Sequence, residues 1–204
     1  MRSITVVGSG TAAVRPDSAE VTAGVITQSA TAGQALAQNT AAMDKVMKAV
    51  AALGIGDKDI QTTTVSVAPQ RRQGRSEAQP PDIVGYEVSN QIRVKVRDLA
   101  ILGRLLDELV SQGANVLGGV HLSVADPAPV LDQARTKAMA DARRKAELYA
   151  AAAGAKLGRV LFVRESAAGQ PRFEGARMMA APSVPVAAGE QEFQASVSVT
   201  YAIK

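Results

Sequence analysis

The chain has 204 residues, 47% of them hydrophobic and 21% charged, and a formal net charge of +4 at neutral pH. It contains no cysteine and no tryptophan, which excludes disulfides, thiol chemistry and cysteine–zinc sites. No apolar run reaches bilayer-spanning length, and a chain of this size buries one sizeable core, either single or divided between two lobes.

Taken in order, residues 3–14 alternate as an extended strand. Met1-Arg2-Ser3 runs straight into it, so no signal peptide is expected in the chain as it stands. Gly8 and Gly10 interrupt the strand and suit a bulge. The same stretch, Gly8-Ser9-Gly10-Thr11-Ala12-Ala13, matches the dinucleotide fingerprint G-x-G-x-x-A. That motif needs a helix starting at the glycines to hold a pyrophosphate. Here the alternation continues through Val14 and Pro16 follows, so no nucleotide site is expected. Pro16-Asp17 marks a turn, and Ala19, Val21, Ala23 and Val25 alternate as a returning strand. A long helix comes next, with Leu36, Met43, Val46, Met47, Val50 and Leu53 on its apolar face and Gly54 as its stop.

Ile60 to Ala68 reads as strand, and Pro69 to Asp82 (PQRRQGRSEAQPPD) as a polar loop between antiparallel strands. Arg71, Arg72 and Arg75 make this loop the densest basic cluster, a candidate contact for a partner, an anionic lipid or a polysaccharide. Nucleic acid is not expected, because the loop offers no aromatic residue for stacking and the basic surface is narrow. From Val84 to Val96 the period is that of a strand with one buried and one wet face, the wet one carrying Arg93, Lys95 and Arg97. Asp98 caps a helix with Leu99, Leu102, Leu106, Leu109 and Val110 inward and Gly113 as its stop. Val116, Gly118, Val120, Leu122 and Val124 alternate as a further strand. His121, the single histidine, falls on its wetter face and reads as a surface residue, since no nucleophile or metal ligand clusters near it in sequence.

Asp126-Pro127 opens another helix, whose inner stripe is read as Leu131, Ala134, Ala138, Ala142, Tyr149 and Ala153. Lys137, Asp141, Lys145 and the pair Arg143 and Glu147 are expected on a solvated outer face. Gly154 closes that helix and Arg159 to Val163 forms a short strand. Ser166 to Gly189 is a long loop with Met178, Met179, Pro182, Val184 and Pro185, suited to contact with a neighbouring subunit. Phe193, Ala195, Val197, Val199, Tyr201 and Ile203 line one face of a closing strand.

The sum is an α+β chain: a mixed, largely antiparallel sheet with about three helices on one face, in the order ββαββαβαββ. It forms a single domain over residues 1–204. Any lobes fall at 1–69 and 82–165, closed by strand 190–203, with loops at 69–82 and 166–189. No catalytic residue, metal ligand or cofactor is expected.

Four stretches carry a family resemblance: VTAGVITQSATAGQALAQNTAAMDKV, GIGDKDIQTTTVSVAP, GYEVSNQIRVKVRDLAILGRLLDELVSQGAN, and the run DP…AR…A…DARRKAELYA…AG..LG. Together they resemble the SIMPL-domain family of bacterial periplasmic immunogenic and oxidative-stress-defence proteins, from Ile4 to Tyr201. The blocks GYEVSNQIRVKVRDL and DARRKAELYAAAAG are the specific ones. The chain departs from the family pattern in its arginine-rich Gln70–Gln79 stretch and in the missing leader. The resemblance implies an α+β fold with helices on one face of a mixed sheet, a periplasmic location and self-assembly into rings. It also implies a link to oxidative stress through phenotype, and it supplies no established catalytic residues to carry over. A chain native from Met1 would instead be cytoplasmic. The resulting expectation is a non-enzymatic envelope protein forming a ring-like homo-oligomer, with Arg93, Lys95 and Arg97 lining a pore or groove. The alternative is a monomeric adaptor that binds through loops 70–79 and 166–189.

Overall fold

The structure, a computed structural model, describes residues 2–72, 82–166, 172–174 and 188–204. Its elements in order are β1 (Ser3–Val14), β2 (Ser18–Ser29), α1 (Ala32–Ala52), β3 (Ile60–Arg72), β4 (Asp82–Val96), α2 (Leu102–Ser111), β5 (Val116–Ser123), α3 (Ala128–Ala152), β6 (Leu157–Ser166), β7 (Arg172–Glu174) and β8 (Glu190–Ile203). The α+β class, the three helices and the element order are as read from the sequence, with the three-residue β7 added. The strands divide into two sheets rather than one, and every strand pair among the described residues is antiparallel.

The two sheets belong to two compact units that interleave along the chain. Among the described residues one unit takes 2–16, 124–166, 172–174 and 188–204, and the other 17–72 and 82–123. The lobes expected at 1–69 and 82–165 are therefore redrawn. The reason is pairing: β1 runs beside the C-terminal β8 from Ser3–Ala202 to Val14–Gln191, which takes the N-terminal strand out of the first lobe.

The unit of residues 17–123 is a sheet in the order β3-β4-β2-β5 with α1 and α2. Val21, Ala23 and Val25 of β2 and Ile92, Val94 and Val96 of β4 face Met43, Val46 and Val50 of α1 and Leu102, Leu105 and Leu109 of α2. Each large side chain buried there contributes about 1.5–3 kcal/mol. Leu36, expected inward, is 45% exposed. Its neighbour Asn39 is buried instead, its Nδ2 donating to the carbonyls of Val25 (2.8 Å) and Val88 (3.1 Å). Thr31 caps α1 by accepting from the Gln34 amide, and Asp98 caps the 3-10 turn Leu99–Ile101 that leads into α2.

The other unit is a sheet in the order β1-β8-β6, with β7 beside β8 and α3 packed against it. The inner row of α3 is Val130, Ala134, Ala138, Ala142, Ala146 and Ala150, a strict four-residue repeat, while Tyr149 and Ala153 lie outside it. Gly8 and Gly10 form no bulge, since β1 keeps a regular register with β8 throughout. They lie under α3, where a Cβ at Gly8 would overlap the Ala138 carbonyl and one at Gly10 the Ala134 carbonyl. Each helix ends at a glycine of positive φ, Gly54 (82°), Gly113 (106°) and Gly154 (67°), as the sequence indicated.

Candidate functional site

The sequence-predicted basic residues do not form one site. β3 extends through Arg72, so Arg71 and Arg72 are exposed strand residues opposite Ile83 and Asp82, not loop residues. Arg75 and most of the two expected loops lie outside the described residues. On the polar face of β4, Arg93 Nε is 3.0 Å from Glu20 Oε1. Arg97 makes a two-pronged contact with Asp59, Nε to Oδ2 at 2.9 Å and Nη2 to Oδ1 at 2.7 Å. That hydrogen bond and the Arg97 charge hold the Asp59 carboxyl below its ordinary range despite partial desolvation. Two of the three cations expected to line a groove are thus already paired. His121 is exposed on β5 opposite Glu20. Among the described residues, no three His, Cys, Asp or Glu side chains gather as metal ligands would.

The outer face of α3 is not merely solvated. Lys145 Nζ donates to the Val7 carbonyl (2.9 Å) and Lys137 Nζ to the Thr11 carbonyl (2.8 Å). Between them the Ser9 amide donates to Asp141 Oδ2 (3.0 Å). Alternate residues of an antiparallel strand turn these groups to the same edge. β1 ends its sheet, and three α3 side chains spaced by four residues stand where a neighbouring strand would bond. Lys145 above all, then the Ser9 amide and Arg144, hold the Asp141 carboxyl far below the usual carboxylate range.

Two surfaces of the unit of residues 17–123 expose apolar residues. The first is the β3–β4 pair. Nearly every residue of β3 is exposed, Val65 at 60%, together with Val67, Ile83 and Val84. Among the described residues no strand lies outside β3. The second is a groove of about 450 Å³ between α2 and β5, with Leu106, Val110, Leu117 and Val120 on its walls. It owes its shape to a register shift. Val21 pairs with Val120 but Ala23 with Leu117, so Gly118 and Gly119 together face one residue of β2. Gly119 takes a φ of 102°, which this arrangement asks of glycine. Strict alternation would have put Leu117 on the opposite face from Val120. The shift brings both to the core face of β2, beside Val110, which the sequence reading placed inward and which is 54% exposed. The Gly118-Gly119 pair was the available signal for it.

In the unit containing α3, a cavity of about 510 Å³ opens between that helix and β6. Arg143 and Glu147 border it and are paired at 2.9 Å, as their four-residue spacing predicted. Tyr201 of β8, Leu157, Arg159 and Val160 line it from the sheet side. β6 also exposes Leu161, Phe162 and Val163, and the Arg164 guanidinium lies 5.7 Å from the Phe162 ring centre.

Comparison with known proteins follows the same span as these elements. The SIMPL family profile, described as a protein of unknown function, matches residues 4–201. The 26 kDa periplasmic immunogenic proteins of Brucella melitensis biotype 1 and Brucella abortus strain S19 are each 38% identical to the chain over 211 residues. Each of these matches covers 98% of the chain and 84% of the relative.

Proposed function

The chain belongs to the SIMPL family, and on that premise we propose that it is a non-enzymatic periplasmic protein that self-assembles into a ring-like oligomer serving stress defence in the cell envelope. The location is supported by relatives whose names call them periplasmic. No helix among the described residues is long and apolar enough to cross a membrane.

One observation supports the assembly. A single unit carries two different exposed apolar surfaces, the β3–β4 pair with Val65, Val67, Ile83 and Val84, and the α2–β5 groove with Val110, Leu117 and Val120. A strand of 13 residues with no neighbour on its outer edge among the described residues is a template for pairing with another chain. Because the two surfaces differ, the β3–β4 pair of one copy seats against the groove of the next. Such a head-to-tail contact closes into a ring where the rotation permits. Arg71 and Arg72, at the far end of β3, add attraction to anionic envelope surfaces in this reading.

The test is Val67→Asp, which places a charge in the proposed contact at a side chain that is already half exposed. Sedimentation velocity should show the variant at lower mass than the wild type, with the circular dichroism of the folded chain retained. A variant that keeps the wild-type mass removes β3 from the contact. If the wild type itself is monomeric, the adaptor reading with loops 70–79 and 166–189 replaces assembly.

A further inference from the structure

The cavity between α3 and β6 has the chemistry of a ligand site that the proposed assembly does not use. We propose that it binds a small organic monocarboxylate with an apolar body, such as a medium-chain fatty acid. Its volume of about 510 Å³ falls in the range of small-molecule sites. All its lining residues belong to one unit of one chain.

Tyr201 carries the argument. It is only 4% exposed, it lines the cavity, and its hydroxyl makes no hydrogen bond to any described residue. The ring is buried while the hydroxyl stays accessible from the cavity, so it is a donor that a bound ligand can take up. Burial raises the phenol's pKa, with the Arg143 charge opposing and Glu147 adding, so the group remains a donor at neutral pH.

Charge then selects the ligand. Arg143 is committed to Glu147 at 2.9 Å, while Arg159 has no ion pair among the described residues. One guanidinium is therefore left over, matched to one negative charge. A carboxylate offers one oxygen to Arg159 and the other to the Tyr201 hydroxyl, and the bond to the cation is of the charge-assisted kind. The remaining wall, Met139, Leu157 and Val160, is apolar and suits a hydrocarbon body.

The local backbone supports a built site. The β6–β8 register shifts on both sides of the Val160–Tyr201 pair, between Leu157 and Val160 and again between Val160 and Phe162. Such irregularities re-aim side chains and occur beside binding sites. Gly158 makes the first shift possible, since a Cβ there would come within 2.9 Å of the Ala202 carbonyl.

The experiment is isothermal titration of the full chain with octanoate, and with octanol as the uncharged counterpart. Octanoate should bind saturably and octanol far more weakly. Tyr201→Phe and Arg159→Gln should each weaken octanoate by about tenfold, the order expected for one lost hydrogen bond in a charged contact. Tyr201→Phe should leave the melting temperature unchanged, because its hydroxyl has no partner to lose, which separates binding from folding. Unsaturable octanoate heats, equal binding of octanol, or wild-type affinity in both variants would overturn the proposal.

Discussion

Gly8 and Asp141 show how single residues fix the contact between α3 and β1. Gly8 has the Ala138 carbonyl and the Ala142 amide where a Cβ would stand, and neither is the end of a flexible side chain. Gly8→Ala should therefore cost about 1–3 kcal/mol or more. Chemical denaturation would read this directly, and an unchanged midpoint would mean that α3 does not lie this close to β1. Asp141 bonds the Ser9 amide and both Lys145 and Arg144. Its folded pKa lies below the ordinary value of 3.8. The sign follows: the unfolded chain binds the proton more readily, so the stabilisation is fully present above about pH 4 and is lost as pH falls through the depressed folded value. Asp141→Asn should melt below the wild type at neutral pH, and the gap should close as the pH is lowered from 5 toward 2 (roughly the span over which a depressed Asp titrates). Asp59, depressed by Arg97, has the same sign and should keep part of the acid sensitivity in that variant. A gap independent of pH would mean that Asp141 acts by shape rather than by charge.

At the scale of elements, α3 is the informative case. The sequence reading identified Ala134, Ala138 and Ala142 as an inner stripe, and Ala138→Leu should overpack the contact with β1 by about 1–3 kcal/mol. A thermal melt would register that as a fall of about 2–4 °C per kcal/mol. No shift would place the alanine row away from the sheet. The same reading continued the stripe to Tyr149 and Ala153, where the helix keeps a four-residue row through Ala146 and Ala150 instead. Large side chains drew the periodicity toward Tyr149, although small ones are what a close helix–sheet contact selects. Helix starts and stops were legible where capping and positive φ are local, at Asp98 and then at Gly54, Gly113 and Gly154, whereas the Thr31 cap of α1 was not read. The strand faces of β2, β4 and β8 were legible from period two alone. The groove beside β5 was not, because its register shift at Gly118-Gly119 defeats alternation. The role of Lys137, Asp141 and Lys145 was likewise hidden, since it depends on which strand lies beside the helix.

At the scale of the whole molecule, periodicity reports elements but not their partners. Two alternating strands at opposite ends of the chain gave no sign that β1 and β8 pair along their length, and so the two interleaved units were not foreseen. The cavity beside Tyr201 was missed for a related reason: Tyr201 reads as one more inward residue of β8, and only the register shifts of β6 open space beside it. Protection of the sheet edges is also uneven. β1 is satisfied by α3 side chains, whereas β3 exposes a long edge with valines at Val65 and Val67. In the proposed assembly it is this β3 edge, without a neighbouring strand among the described residues, that a second copy fills. The most direct test is the absolute mass of the untagged wild type in solution, by size-exclusion chromatography with light scattering. The account predicts one discrete species at a several-fold multiple of the 21.1 kDa chain, and a single species at 21.1 kDa would contradict it.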